Sequence, residues 1–297
     1  NYNVLFKLFK IRKIIRKTEP DILNAHYITS HGFLLALIRW TGMSGYFFIQ
    51  SSWGSDILVT PFRNSIFKWI TRFALRSADL NTCVSERMHQ IITSMTDIRC
   101  LNFSYGTMVM PEYDPKEKDD FLFFSNRHLS KNYNIDKVLL YFSKVASVEE
   151  RARLVVANDG NGRESLYKLA KELGIEDKVE FTGILSADKQ IIYYKKSRFY
   201  ISIPTSDAIS VSLMEAMSYG CIPVVSDLPS NHEMVNDGEN GIFLVEGNEA
   251  PQKVFKMLEK KEKIAETNRA IIQNRFYFPG SIKKFVDEIN KSLTSGR

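Results

Sequence analysis

Cysteine is scarce: Cys83, Cys100 and Cys221 are an odd set in no paired or metal-binding spacing. That excludes a disulfide-stapled scaffold and points to structural thiols in a reducing compartment. Glycine (15) and proline (9) show no excess, which sets aside collagen-like and low-complexity classes. No apolar run reaches the roughly 18–20 residues that a spanning helix needs. The best candidate, from Phe33 to Ile49, is broken by Arg39, Gly42 and Gly45. No signal peptide is recognisable.

What is present is a globular composition, 44% hydrophobic and 25% charged. At 297 residues the chain is comfortable for two domains, each able to bury a core. A net charge of +6 and a pI near 9.0 favour anionic partners: nucleotide phosphates, lipid headgroups or nucleic acid. The sequence has no aromatic–basic motif of the RNA or DNA readers, so nucleic acid is not an expected partner.

Short apolar runs alternate with amphipathic helical segments, the pattern of βαβ units and a parallel sheet. Residues 11–20 read as a helix end stopped by Pro20, followed by strand 21–26, a helix from Gly32 to Trp40 and strand 45–52. A helix over Phe62–Ser77 and strands at 80–84 and 98–103 complete the first half. Pro111–Asp120, with two prolines and a charge run, is the best linker. Strands then fall at 121–126, 153–159, 179–183, 199–204 and 221–227. Helices are expected at 135–145, 163–173, Lys189–Lys195 and Val211–Tyr219, with a helical tail over Gln252–Leu293. The expected domains are 1–113, 114–278 and a C-terminal helix, 279–297, returning toward the first. Two such halves imply a cleft, and ligands of open parallel sheets sit beyond the carboxyl ends of strands.

The most informative stretch runs from Ser206 to Asp227: loop, helix from Val211, a turn at Gly220, then a strand. Thr205, Ser206 and Ser210 surround the helix start, where exposed amides and the helix dipole suit a phosphate. Glu215 lies one turn in, and a carboxylate there can accept two hydrogen bonds from a vicinal diol, as acids that hold a ribose do. An isolated Glu215 would read as solvated surface, with Met214 and Met217 as core. The whole pattern argues otherwise.

The segment resembles the signature of family-4 retaining glycosyltransferases of the GT-B type: an acid, seven residues, then E-A-M-x-x-G-x-P-V-V. Here these are Asp207, Glu215-Ala216-Met217, Gly220 and Pro223-Val224-Val225. The first acid is Asp rather than Glu, and Ser210 stands where glycine is usual; both resemble a branch that writes S-D-x-x-S-V-S-L-x-E-A-M. The resemblance implies an α/β, GT-B architecture of two Rossmann-like domains with parallel sheets facing across a cleft. It implies that Glu215 binds the donor ribose, that Asp207 lies near the transferred sugar, and that the backbone of Ala208, Ile209, Ser210 and Val211 meets the diphosphate.

Arg127 and Lys131 follow the strand at 121–126 in the family's R-x-x-x-K arrangement. Breaking a sugar–phosphate bond leaves charge on the terminal phosphate, which a cation pair can stabilise in place of a divalent metal. No Asp-x-Asp motif occurs, so no metal cofactor is expected. Either residue alone would read as part of a solvated, lysine-rich turn.

Other landmarks are less specific. Gly183 and Ile184 stand where family members hold the base, or Gly183 simply ends a strand. The Asn158–Glu164 turn reads as structural. In the first half, the resemblance turns His26 and the Trp53–Asp56 segment toward the cleft. Trp53 either stacks on a sugar or packs; Asp56 either binds a hydroxyl or caps a helix; Ser85 caps the next one. The basic stretch Lys7–Lys17 either lies on a membrane surface or, through Leu5, Leu8, Ile11 and Ile15, packs in the core.

The resemblance covers nearly the whole chain and is strongest over 120–245. Nothing fits the family's opening Gly-rich turn, and 110 residues before the linker are short for a doubly wound domain, so the N-terminal domain is expected to lack its first βα unit. The expected function is retaining transfer from a nucleotide sugar to a glycan or lipid-linked acceptor. The expected setting is bacterial surface-polysaccharide or lipopolysaccharide synthesis, in the cytoplasm or on the inner membrane face. The alternatives are a non-catalytic nucleotide-sugar-binding or assembly protein and a GT-B hexosamine epimerase.

Overall fold

The computed structural model describes residues 2–245 and 250–295, with side chains from 7 to 294. The chain divides into two compact units, Asn1–Tyr105 with Ser281–Arg297, and Gly106–Gly280.

The first unit contains α1 (Tyr2–Thr18), β1 (Ile22–His26), α2 (Phe33–Trp40), β2 (Phe47–Ser51), α3 (Ser55–Leu58), α4 (Ser65–Arg76), β3 (Leu80–Cys83), α5 (Glu86–Met95) and β4 (Cys100–Asn102). Its strands form one parallel sheet in the order β1-β2-β3-β4, each joined to the next by the helical crossover that parallel pairing requires. Side-chain caps set the helix starts. Asn64 Oδ1 accepts from the Phe67 N–H (3.0 Å), and Ser85 Oγ accepts from the Met88 N–H (3.3 Å). Two helices start later than expected: α2, which has no side-chain cap, follows a π-helical turn, Tyr27–Gly32, and α4 follows a 3-10 turn, Thr60–Phe62.

In α1, Leu8, Ile11 and Ile15 pack with Tyr46 and Phe48, so this apolar stripe is core. The side chain of Leu5 lies outside the described residues. Cys83 and Cys100, distant in sequence, meet on adjacent strands with sulfurs 3.7 Å apart, and all three cysteines are free.

The chain enters the second unit at Gly106. The Pro111–Asp120 segment expected as a linker thus lies inside that unit, with a 3-10 turn at Pro115–Glu117. The unit continues with β5 (Asp119–Ser125), α6 (Ile135–Val148), β6 (Arg153–Ala157), α7 (Arg163–Glu172), β7 (Val179–Gly183), α8 (Ala187–Lys196), β8 (Ser197–Ser202), α9 (Val211–Ser218), β9 (Ile222–Ser226) and β10 (Ile242–Leu244). The helical tail is three helices: α10 (Gln252–Leu258), α11 (Lys261–Arg275) and α12 (Phe278–Ser295). From Ser281 on, α12 belongs to the first unit, where Phe285 stacks on Phe103 (4.8 Å, 8°) and Glu288 pairs with Arg99. Residues 296–297 of the expected C-terminal segment lie outside the described residues.

The second sheet is parallel, in the order β10-β9-β8-β5-β6-β7. Strands covered on both faces read as unbroken apolar runs, and alternate side chains divide between two cores. Phe123, Leu154, Phe199 and Val224 meet α6, α7 and α10 on one face. Phe124, Val155, Tyr200 and Val225 meet α8, α9 and the end of α11 on the other.

Candidate active site at the switch point of the second sheet

From β5 the chain moves outward through β6 and β7, then returns to lay β8 on the other side of β5. Neighbouring strands that lead their loops in opposite directions leave a crevice beyond their carboxyl ends. Two loops border it: 126–134 after β5, and 203–210 after β8. They are sewn together by Asn132 and Asn134. The Thr205 N–H donates to Asn132 O (2.7 Å), Asn132 Nδ2 to Ser206 O (3.0 Å), and Asn134 Nδ2 to Ile203 O (2.9 Å).

Arg127 spans the crevice. Its Nη2 donates to Asp207 Oδ2 at 2.6 Å, and its Nη1 to Ser210 Oγ at 2.8 Å and Ser212 Oγ at 2.9 Å. The guanidinium lies 4.3 Å from the Tyr133 ring centroid. Burial opposes the charge, but its neighbours, Tyr200 and Asp207 foremost, hold the pKa above the ordinary arginine value. Nε is buried and has no hydrogen-bond partner among the described residues. The other Asp207 oxygen, Oδ1, accepts from the Ala208 N–H (3.0 Å), and Ser230 Oγ fixes the Asp207 carbonyl (3.0 Å).

Ser210 is also the N-cap of α9: its Oγ accepts from the Leu213 N–H (3.2 Å). With the Met214 N–H bonded to Ser210 O, Val211 and Ser212 supply the leading amides that a first turn leaves without intrahelical partners. Ile209 is half-buried in the loop, and Val211 is exposed at the helix start.

Glu215 joins Arg127 through a directed chain. Asn126 Oδ1 can only accept, so Tyr200 O–H donates to it (2.8 Å) and takes its own bond from Ser212 Oγ (2.9 Å). Asn126 Nδ2 donates to Tyr194 Oη (2.7 Å), and Tyr194 O–H donates to Glu215 Oε2 (2.9 Å). Bonds aligned head to tail polarise one another, here from a guanidinium to a carboxylate. Burial raises the Glu215 pKa, and the Tyr194 bond works against that rise. Burial also pushes up the Tyr194 and Tyr200 hydroxyls, keeping them as donors.

Sequence reasoning missed Asn126, Tyr133, Tyr194, Tyr200 and Ser212. Two of them carried a signal: Asn126, as the residue directly after β5, and Ser212, as the second serine of the S-V-S-L run.

The other expected residues are placed differently. Lys131 is exposed, has no ion-pair partner among the described residues, and lines a cavity of about 780 Å³ with His128, Asn134 and Ser165 at the starts of α6 and α7. Neither Arg127 nor Glu215 lines that cavity. Gly183 ends β7 at φ 71°, a backbone state that favours glycine, and its carbonyl accepts from the Asn158 N–H (2.7 Å); Ile184 beside it is 78% exposed.

In the first unit, Trp53 stacks on Tyr105 (4.7 Å, 8°) and its Nε1 donates to His26 Nδ1 (2.9 Å). Asp56 is buried inside α3 rather than capping it. Its oxygens accept from the backbone N–H groups of Ile28 (3.0 Å), Trp53 (3.1 Å) and Gly54 (2.9 Å), so the carboxylate ties three segments together.

A family model described as "Glycosyl transferases group 1" matches residues 110–276, and one described as "Glycosyl transferase 4-like" matches residues 3–85. The alpha-monoglucosyldiacylglycerol synthase of Streptococcus pneumoniae is 32% identical over 109 residues, which is 37% of this chain and 25% of that protein. The N-acetyl-alpha-D-glucosaminyl L-malate synthase of Bacillus anthracis is 24% identical over 245 residues, 78% of this chain and 63% of that protein. The chain thus spans only part of the length of these relatives.

Among solved structures, the pneumococcal O-GlcNAc transferase GtfA, in complex with UDP and GlcNAc, superposes with a TM-score of 0.80 at 12% identity, over 95% of this chain and 60% of that one. Anabaena HepE with UDP gives 0.78 at 17% identity, over 96% and 82%. These likenesses establish the GT-B fold, with a Rossmann-like parallel sheet in each unit.

Proposed function

The chain belongs to the group 1 glycosyltransferases, and on that premise we propose that it transfers a sugar, with retention of configuration, from a nucleoside-diphosphate sugar to a glycan or lipid-linked acceptor. The setting is bacterial surface-polysaccharide or lipopolysaccharide synthesis, in the cytoplasm or at the inner face of the plasma membrane. The observation that carries this reading is Arg127, a half-buried cation locked between the two switch-point loops, with one donor unused.

In the proposed site the diphosphate lies at the start of α9, against the Val211 and Ser212 amides. Arg127 Nε meets one of its oxygens, and Lys131, on the same loop, supplies a second positive charge. Glu215, with Oε2 held by Tyr194, accepts the ribose hydroxyls through Oε1. Asp207 keeps the guanidinium in place and has lone pairs left for a hydroxyl of the transferred sugar. The base rests near Gly183 and Ile184. Charge that develops as the sugar–phosphate bond breaks meets fixed donors, which need no reorganisation; no metal is assigned to that task. The acceptor oxygen bonds to the anomeric carbon as that bond breaks, and its proton passes to a leaving phosphate oxygen. The products are a glycoside and a nucleoside diphosphate. His26 and Trp53 are assigned to the sugar or acceptor side. Asp56 holds their loop.

The test is turnover of UDP-, GDP- and ADP-sugars with glycan and polyprenol-linked acceptors, followed by NMR of the anomeric proton. Expected are release of the nucleoside diphosphate and an α product from an α donor, both unchanged by EDTA. A β product, or loss of activity with EDTA, contradicts the mechanism. Binding without release for any acceptor supports a non-catalytic role, and UDP release with an epimerised free sugar supports an epimerase.

A further inference from the structure

Helix α4 is apolar on two opposite sides. One side, with Thr71, Ala74 and Leu75, is buried. On the other, Ile66 is 68% and Trp69 60% exposed, and Phe62, in the turn just before, is 60% exposed. Phe73 extends this outer stripe, stacked on Trp69 (5.5 Å, 10°) and edge-on to Phe33 (6.0 Å, 71°). Positions 66, 69 and 73 share one helix face. A surface helix ordinarily turns polar residues outward; large aromatic and aliphatic side chains set together in solvent mark an interaction surface.

The charges around the stripe say what it meets. Between Asp56 and Asp79 the chain carries Arg63, Lys68, Arg72 and Arg76 and no acidic residue. All four are exposed, and none has an ion-pair partner among the described residues. Rotation of about 100° per residue puts Lys68, Arg72 and Arg76 on one flank of the stripe, and Arg63 stands in the turn just before the helix, beside Phe62. A second copy would bring the same positive charges and repel. The other basic helix, α1, has committed Leu8, Ile11 and Ile15 to the core. Its exposed apolar residues, Phe9 and Ile14, stand about 140° apart at the same rotation and form no stripe.

We propose that the outer face of α4 docks on an anionic lipid bilayer. Phe62, Ile66 and Trp69 enter the interfacial zone, where aromatic side chains with a polar edge are favoured. The four basic side chains lie at the level of the lipid phosphates. No helix among the described residues is long and apolar enough to cross a membrane, and docking of this kind needs none. The inference deepens the proposed function by naming the surface on which a lipid-linked acceptor would be met.

The test uses the full chain with phosphatidylglycerol/phosphatidylcholine vesicles and with pure phosphatidylcholine. Expected are sedimentation with the anionic vesicles only, at least ten-fold weaker binding in 0.5 M salt, and blue-shifted fluorescence quenched by brominated acyl chains. Ile66→Ser with Trp69→Ser, and separately Lys68→Gln with Arg72→Gln and Arg76→Gln, should each weaken binding at least ten-fold. Trp69→Phe should still bind but lose most of the quenching, a readout that requires no disruptive change. Nucleoside-diphosphate binding should be unaltered in every variant, which separates failure of this inference from failure of the donor site. The proposal is overturned if anionic vesicles leave the chain in solution, or if the variants bind as well as the parent. Light scattering that shows a dimer abolished by Ile66→Ser with Trp69→Ser, without vesicle binding, would assign the face to a second copy.

Discussion

Glu215 is held in a state that its exposed counterpart would not share. Burial lifts its pKa above 4.5, and the Tyr194 donor recovers part of the cost. A raised carboxyl pKa means that the folded protein keeps the proton to higher pH than the unfolded chain. Between 4.5 and the folded value the native state therefore binds more protons, and stability falls as pH rises through that window. Glu215→Gln cannot ionise and should escape this decline. Urea unfolding at pH 4.5 and pH 7 should show the stability difference moving in favour of the glutamine variant at pH 7, and Tyr194→Phe should steepen the parent's decline. A difference that stays constant with pH would mean that Glu215 is solvated in the native state.

At this scale the sequence was legible where chemistry was written in motifs. Arg127, Asp207, Ser210 and Glu215 come from two distant stretches and meet in one hydrogen-bonded cluster. Tyr194 and Tyr200 were not legible, because a tyrosine in a helix or strand reads as core volume, and only three-dimensional placement tells where its hydroxyl ends. Lys131 is a motif position on the same loop whose side chain is exposed and lines a cavity that Arg127 does not.

Among the elements, the turn between α9 and β9 decides whether the site helix is delivered to the sheet correctly. Gly220 has φ 72°, and a Cβ there would stand 2.6 Å from Tyr113 Cε2 and 3.1 Å from Ala265 Cβ. Gly174, which closes α7, has φ 65° but open space around its Cβ position. Gly174→Ala should carry only left-handed backbone strain, about 1 kcal/mol, whereas Gly220→Ala adds overpacking, for roughly 2–4 kcal/mol in all. Thermal unfolding should rank them in that order; equal shifts would show that Tyr113 yields freely.

The strands and most helices were legible from apolar runs and periodicity. Helix starts were less so, since Gly32 and Phe62 belong to non-α turns that precede the helices, and a cap such as Asn64 is decided by side-chain geometry. The three-residue β10 is too short to carry a pattern, and it forms by pairing with β9.

For the whole molecule, two parallel sheets were foreseeable from alternating strands and helices, and the division at Tyr105–Gly106 was not. Prolines and charges marked 111–120 as a linker, but Gly106 and Thr107 are already held by the end of α11: the Thr107 N–H donates to Phe276 O (2.8 Å), and that carbonyl lies where a Gly106 Cβ would stand. Such long-range closure leaves no local signal. The assignment of the second unit to a nucleotide sugar rests on its switch point, where cation, helix start and carboxylate share one hydrogen-bonded network.

Calorimetric titration of UDP, GDP and ADP into the full chain, the Arg127→Ala variant and the Glu215→Ala variant measures that assignment directly. Saturable binding of at least one nucleoside diphosphate is expected, weakened ten-fold or more by each substitution, since each removes a charged hydrogen-bonding partner. No binding to the parent chain, or equal binding by all three proteins, would contradict the donor site proposed at Arg127 and Glu215.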